Sequence, residues 1–358
     1  MTRRSAFAAV ILGALAAGCG GGSHHGSQHR SRTATVATVA TVAPVATVAA
    51  EGTPAVRHAP AAIPPVQAFV TDEQQNRVLV VDLPSGRVVR RLAMAPDPED
   101  VAANSGACAS VVVTSAAAGK VTVLDRETLA ARGVLGGFGT PHIAEIAPGG
   151  QYAYVTDDAR GTVTVIYLGD ARVTSRLEVG ASAHHLSFDA AHKLAWVALG
   201  ESAHTIVILS AANQAHPRVI GRFDPGFATH DVSFAPGGNQ VWVTSADGPD
   251  VAVWGALDRR LLFRVPVGRG PQHVAFDGRF AYLTSGYGGV IEEVDDATGR
   301  IVKRVPAPYG SFELDAGQGY VVASSLLRGT LAIYNPQLDL LRVVHVAPAA
   351  REVAISTS

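Results

Sequence analysis

Internal repetition constrains this chain more than any other feature. A Val-Thr-like pair closing an apolar strand occurs at Val70-Thr71, Val113-Thr114, Val155-Thr156, Val197-Ala198, Val243-Thr244, Leu283-Thr284 and Val322-Ala323. The gaps between successive pairs are 43, 42, 42, 46, 40 and 39 residues. A period of about 40–45 residues is that of a four-stranded propeller blade. Each pair is followed by a turn and a β-branched strand ("NRVLVVD", "GKVTVLD", "GTVTVIY"), then by a second turn and a more polar strand ("RVVRRLAM", "RVTSRLEV", "RIVKRVPA"). The unit ends with the opening strand of the next repeat ("HIAEIAP", "HDVSFAP", "QHVAFDG"). No window sustains the helical apolar period. The chain therefore reads as all-β, a seven-bladed β-propeller over residues 66–358. The first repeat, from "VQAFVTD", lacks an opening strand, and the chain finishes on one, "REVAIST". The C-terminal strand is expected to pair into the first blade, closing the ring and leaving no free sheet end.

The segment before the repeats has a different character. "MTRRSAF" and the short apolar run "AFAAVILGALAAG" are too short for a membrane span and read as a signal peptide over residues 1–18. The junction "LAAGCGGGS" resembles a bacterial lipobox, with Ala16 standing where that pattern has Leu. The resemblance implies lipidation of Cys19, a membrane anchor and an extracytoplasmic location; the alternative is secretion after cleavage near Ala17. Residues 19–65 are Gly/Ser-rich, then Thr-Val-Ala repetitive, then Pro-rich, and carry too few large apolar groups to offset chain entropy. They read as a linker, in which His24, His25 and His29 are at most loose metal ligands.

Composition narrows the function classes. The net charge of −1 supplies no field for nucleic acid. With 2 cysteines, one of them at the anchor, no structural disulfide is expected. Cys108, in "GACASVVVT", reads as a small buried strand residue. The chain contains no HExxH, CxxC, Walker-type loop or GxSxG elbow. The acidic pairs Asp157/Asp158 and Glu292/Glu293 read as solvated. Arginines spaced four apart (Arg87/Arg91, Arg172/Arg176, Arg218/Arg222, Arg260/Arg264, Arg300/Arg304) fall in the polar last strand of each repeat. That spacing puts them on one face of a strand, where charge discourages edge-to-edge association.

The stretches "YAYVTDDARGTVTVIYLGDARVTSRLEVG" and "VPVGRGPQHVAFDGRFAYLTS" resemble the YVTN-type repeat of seven-bladed propellers in bacterial surface and exported proteins. Tyr154-Val155-Thr156, the "GTVTVI" strand and the loop before Pro271 carry the likeness, which spans the whole repeat region. It implies the fold and an envelope setting but fixes no ligand.

Aligned on their apolar residues, the opening strands show two polar columns. The first is Glu99, His142, His184, His230, Gln272, Gly310 and Arg351; the second is Asp100, Ile143, His185, Asp231, His273, Ser311 and Glu352. In a propeller the opening strand lines the axial channel, so each column forms a ring at one mouth. Imidazoles and carboxylates converging there are the donor set of a divalent transition metal. His142, His184 and His230 are the first candidates, with His185, His273 and Asp231 as supporting or alternative ligands. Adjacent strand residues point to opposite faces, which would set the second column apart from the first. A purely architectural reading has these groups satisfying backbone and channel water.

Two function classes follow. One is a monomeric, lipid-anchored binding or scaffold protein of the cell envelope, meeting a protein or polymer partner and holding its ligand at the channel mouth. The other is a metal-dependent propeller enzyme of lactonase, lyase or quinoprotein-dehydrogenase type, using the same ring.

Overall fold

The computed structural model describes residues 66–356, apart from 201, 202, 247, 268, 269, 271 and 272. The expected signal peptide, Cys19 and the linker lie outside the described residues. All regular structure among the described residues is β-strand, arranged as seven four-stranded antiparallel sheets. The innermost strands, in blade order, are Ala350–Ile355, Pro98–Asn104, Pro141–Ile146, Leu186–Asp189, Thr229–Phe234, Val274–Asp277 and Ser311–Gly317. Each contacts the innermost strand of the next blade, and the last contacts the first, so the ring is closed. Ala350–Ile355 pairs antiparallel with Gln67–Asp72, matching Val70 to Val353 and Ala68 to Ile355. The chain's last strand is thus the innermost strand of blade one, as the unfinished first repeat required.

The middle strands read as near-continuous apolar runs because neighbouring blades cover both of their faces. Arg77–Asp82 and Thr162–Tyr167, for example, are buried along all four central positions. The described core divides into seven clusters, one for each gap between blades. Trp196 and Trp242, both fully buried, belong to the clusters on either side of blade five.

The recurring Thr has a structural task. Its hydroxyl accepts an N–H from its own blade's innermost strand: Asp100 to Thr114 at 3.1 Å, Ile143 to Thr156 at 3.0 Å, Asp231 to Thr244 at 2.9 Å and Glu352 to Thr71 at 2.9 Å. It also donates forward to a carbonyl at the mouth of the next blade: Thr114 to His142 at 2.7 Å, Thr156 to His184 at 2.6 Å and Thr284 to Phe312 at 2.5 Å. One hydroxyl therefore fixes the register of one blade and the position of the next. Blade four carries Ala198 here and has no hydroxyl to give. In blade seven this position is held by Ser324, which donates to the carbonyl of Arg351 at 2.5 Å, and Ala323 pairs with Leu314. The seventh anchor is therefore Ala323-Ser324, one residue beyond Val322-Ala323. The two column residues of that blade are Phe312 and Glu313 rather than Gly310 and Ser311.

The outermost strands depart from the sequence reading. All seven carry a register shift between their first and middle residues. This bulge inserts one extra residue between the paired arginines, so they fall on opposite faces of the sheet. Arg300 lies opposite Asp295 and Arg304 opposite Glu292, and positions 295 and 292 face opposite ways. Two further readings are corrected. Cys108 lies in the turn after Pro98–Asn104 and is only partly buried. Asp157, Glu292 and Glu293 are buried rather than solvated, at 1%, 1% and 5% exposure.

Candidate metal centre at the channel mouth

The mouth of the channel is built where each chain segment enters its innermost strand. In blades two, three, five and seven the ladder slips there, between Pro98 and Val101, Pro141 and Ala144, Thr229 and Val232, and Ser311 and Glu313. In blades four and six regular pairing begins only at Leu186 and Val274, after the histidines. Free of strict strand alternation, successive residues turn toward the same cavity. The two polar columns are therefore not segregated. His142, His184, His185, His230 and His273 line one cavity of about 800 Å3, together with Glu99, Asp158, Glu313 and Arg351.

Within it the imidazoles are in direct contact. His142 and His184 stack with ring centroids 3.9 Å apart and planes 10° from parallel. His185 sits at the centre, 5.2 Å from His142, 4.7 Å from His184, 4.9 Å from His230 and 4.7 Å from His273. The ring nitrogens form two groups, His142/His184/His185 and His185/His230/His273, with the donor atoms of each group within 4.8 Å of one another. Asp231, expected among the ligands, instead stands behind His185, its Oδ1 3.4 Å from Nδ1.

Carboxylates stand behind three of the other rings in the same way. Glu99 Oε1 lies 3.0 Å from His142 Nδ1, Asp158 Oδ2 3.0 Å from His184 Nδ1, and Glu313 Oε1 2.7 Å from His273 Nε2. Each pairing commits one ring nitrogen to a carboxylate and keeps the other as a lone-pair donor. This is the support that orients metal-binding histidines. Arg351 holds Glu99 at 2.5 Å and Glu73 at 3.3 Å, continuing the chain of contacts into blade one. Asp158, read from the sequence as solvated, instead backs His184, and Glu313 was not singled out. Asp158 lies in a turn outside the columns, and Glu313 was hidden by the slipped alignment of blade seven. Aligning on Ser324 would have found it, at the spacing that separates His273 from Thr284.

Electrostatics keeps the central ring suited to ligation. Burial, followed by the charges of His184, His273, His230 and His142, holds the His185 imidazole well below its ordinary range, so it is neutral. At the other ring of the contact, burial works against the charge of His273, but Glu313 and Asp231 outweigh it and raise it. Burial likewise works to raise Glu99; its hydrogen bond with His142, together with the charges of His142 and Arg351, prevails and lowers it. Below the imidazoles the channel narrows into a smaller cavity of about 260 Å3, lined by Asp100, Glu145, Asp231, Glu313, Asp315 and Glu352. Burial, then the neighbouring charges of Asp100, Asp315 and Asp231, pushes Glu145 up to about 8. Asp315, which accepts N–H bonds from Ile355 and Ala316 at 2.7 Å each, is raised by burial to about 6. Part of the upper cavity's wall is apolar, formed by Tyr287, Phe312 and Leu326.

Fold and site together describe a seven-bladed propeller whose axial channel opens through a histidine cluster backed by carboxylates. Among solved structures, the chain is similar to a functionally unknown protein from Desulfotomaculum acetoxidans, with a TM-score of 0.70, 15% identity, and coverage of 81% of this chain and 98% of that one. It is similar to Kuenenia stuttgartiensis hydrazine synthase at 0.66 and 15%, covering 81% and 100%. It is also similar to apo AztD from Citrobacter koseri at 0.65 and 11%, covering 81% and 97%. These identities make the likeness one of fold. No protein-family description and no curated protein matches the chain.

Proposed function

We propose that this protein is a non-catalytic binding protein for a divalent transition cation, held at the channel mouth and displayed at the cell envelope by a lipid on Cys19. One observation carries the reading. Five imidazoles from four consecutive blades meet in two overlapping groups of ligand spacing, and at least four of them are backed by a carboxylate. Imidazole nitrogen suits zinc, copper and nickel over calcium or magnesium. Three histidines hold zinc in known sites, and because such sites with an open position are those that catalyse, turnover is among the outcomes tested. A neutral His185 supports ligation, since a bound imidazole must be deprotonated.

The test is calorimetric titration of zinc, copper and nickel into the full chain with His24, His25, His29 and His58 replaced by Gln. One ion per chain is expected, with binding that weakens as the pH falls. A His142/His184/His230→Ala variant should give no heat. Equal heats from the two proteins, or none from either, would remove the metal reading. Turnover of a lactone by the metal-loaded protein would replace binding with catalysis. Mass spectrometry of the mature N-terminus decides the anchor: an acylated Cys19 is expected, and a terminus beyond Cys19 would remove it.

A further inference from the structure

We propose that the cluster holds one ion at a time in either of two three-histidine seats that share His185, and that the ion steps between them without leaving the protein. This rests on the metal-binding reading above and adds to it a defined internal transfer.

The observation is the division of the five rings into two groups with one common member. The first seat is His142, His184 and His185; the second is His185, His230 and His273. The consecutive pair in blade four makes the sharing possible. Regular pairing there starts only at Leu186, so both His184 and His185 are free to turn into the channel. His184 stacks on His142 of blade three, while His185 reaches the rings of blades five and six.

Simultaneous occupancy is opposed by charge and by ligand count. Two dications a few ångströms apart repel strongly in a site removed from bulk water. Among the described residues, the carboxylates that back these rings stand on nitrogens of His142, His184, His185 and His273. His185 has one nitrogen beside Asp231, which leaves it a single donor for a single ion. A move between seats keeps the His185 bond and exchanges the other two, so the ion is never free. The path has a direction along the axis. His142 and His184 line only the wide upper cavity, whereas His185 and His273 line both it and the carboxylate-lined cavity below.

Zinc titration with native mass spectrometry tests this on the full chain with the four tether histidines replaced by Gln. The variants are His142→Gln, His273→Gln, their double, and His185→Gln, with the Asn versions made where near-UV circular dichroism shows a disturbed fold. The parent and each of the first two single variants should bind one zinc, each single losing less than about tenfold in affinity because one seat stays whole. The double variant breaks both seats and should lose about a thousandfold, more than the product of the singles, and His185→Gln should match it. A double loss equal to that product would replace two seats with one, leaving metal binding intact. Two zinc ions on one parent chain would overturn exclusive occupancy. No zinc on the parent would remove both this inference and the reading beneath it.

Discussion

The innermost and outermost strands both repeat polar residues with the blade period, and the two repeats come to opposite ends. At the innermost position Glu99, His142, His184, His230, His273 and Arg351 arrive at one cavity from six blades. At the outermost position a bulge in every blade throws the paired arginines to opposite faces, and most remain exposed. Ring geometry explains the difference. A side chain repeated near the axis is brought within contact of its equivalents, whereas one repeated at the rim is separated from them. Repetition therefore concentrates chemistry at one radius and dilutes it at another. Substitutions should cost more at the axis than at the rim, and five experiments press on that contrast.

The largest effect is expected from deleting Arg351–Ser358, which removes the innermost strand of blade one. Val353 and Ile355 are 3% and 4% exposed, and their burial is worth about 3–6 kcal/mol. Circular dichroism should show loss of cooperative melting; a truncated chain melting like the parent would mean the ring does not depend on its seam. Next comes Glu145→Gln. The folded carboxyl keeps its proton up to about pH 8, while the unfolded one releases it near its ordinary value. Stability at this group is thus present at low pH and lost as the pH rises through that window. The Gln variant should be the more stable by roughly 5 kcal/mol at pH 9 and indistinguishable at pH 4, read from urea midpoints.

Thr156→Val tests the hydroxyl that both accepts from Ile143 and donates to His184. A loss of about 1–2 kcal/mol is expected, together with weaker zinc binding as His184 is released from its position. At the rim, Arg304→Gln should cost about 1 kcal/mol because its partner Glu292 is buried while the guanidinium is half exposed. Arg172→Gln should change stability by less than about 0.5 kcal/mol, since both Arg172 and its partner Asp170 are exposed. A cost at Arg172 equal to that at Thr156 would erase the contrast between axis and rim.

The sequence carried the fold well, because blade number, strand order and closure all follow from a period and from two unmatched ends. It carried the imidazole column for the same reason: His142, His184 and His230 hold one repeat position. What it did not carry was any feature that depends on a single extra residue. The late start of regular pairing, at Leu186 and at Val274, admits His185 and His273 to the cavity that strict alternation would have denied them. The bulges at the rim undo the arginine face. Glu313 was lost to an alignment two residues out, and Asp158 belongs to a turn that no column includes. Periodicity reads what repeats; bulges and turns are local departures from it, and they decide which way a side chain points.

The absence of a hydroxyl at Ala198 has a mechanical meaning. Among the described residues the joint lacking this clasp is the one between blades four and five, where the Phe234 N–H instead donates to Ser187 Oγ at 3.2 Å. It lies inside the histidine cluster, between the segment that presents His184 and His185 and the segment that presents His230. The segments that carry His142 and His184 are each held through the carbonyl to the blade before. The cluster thus spans two kinds of joint, clasped through carbonyls on the side of His142 and His184 and tied through Ser187 on the side of His230.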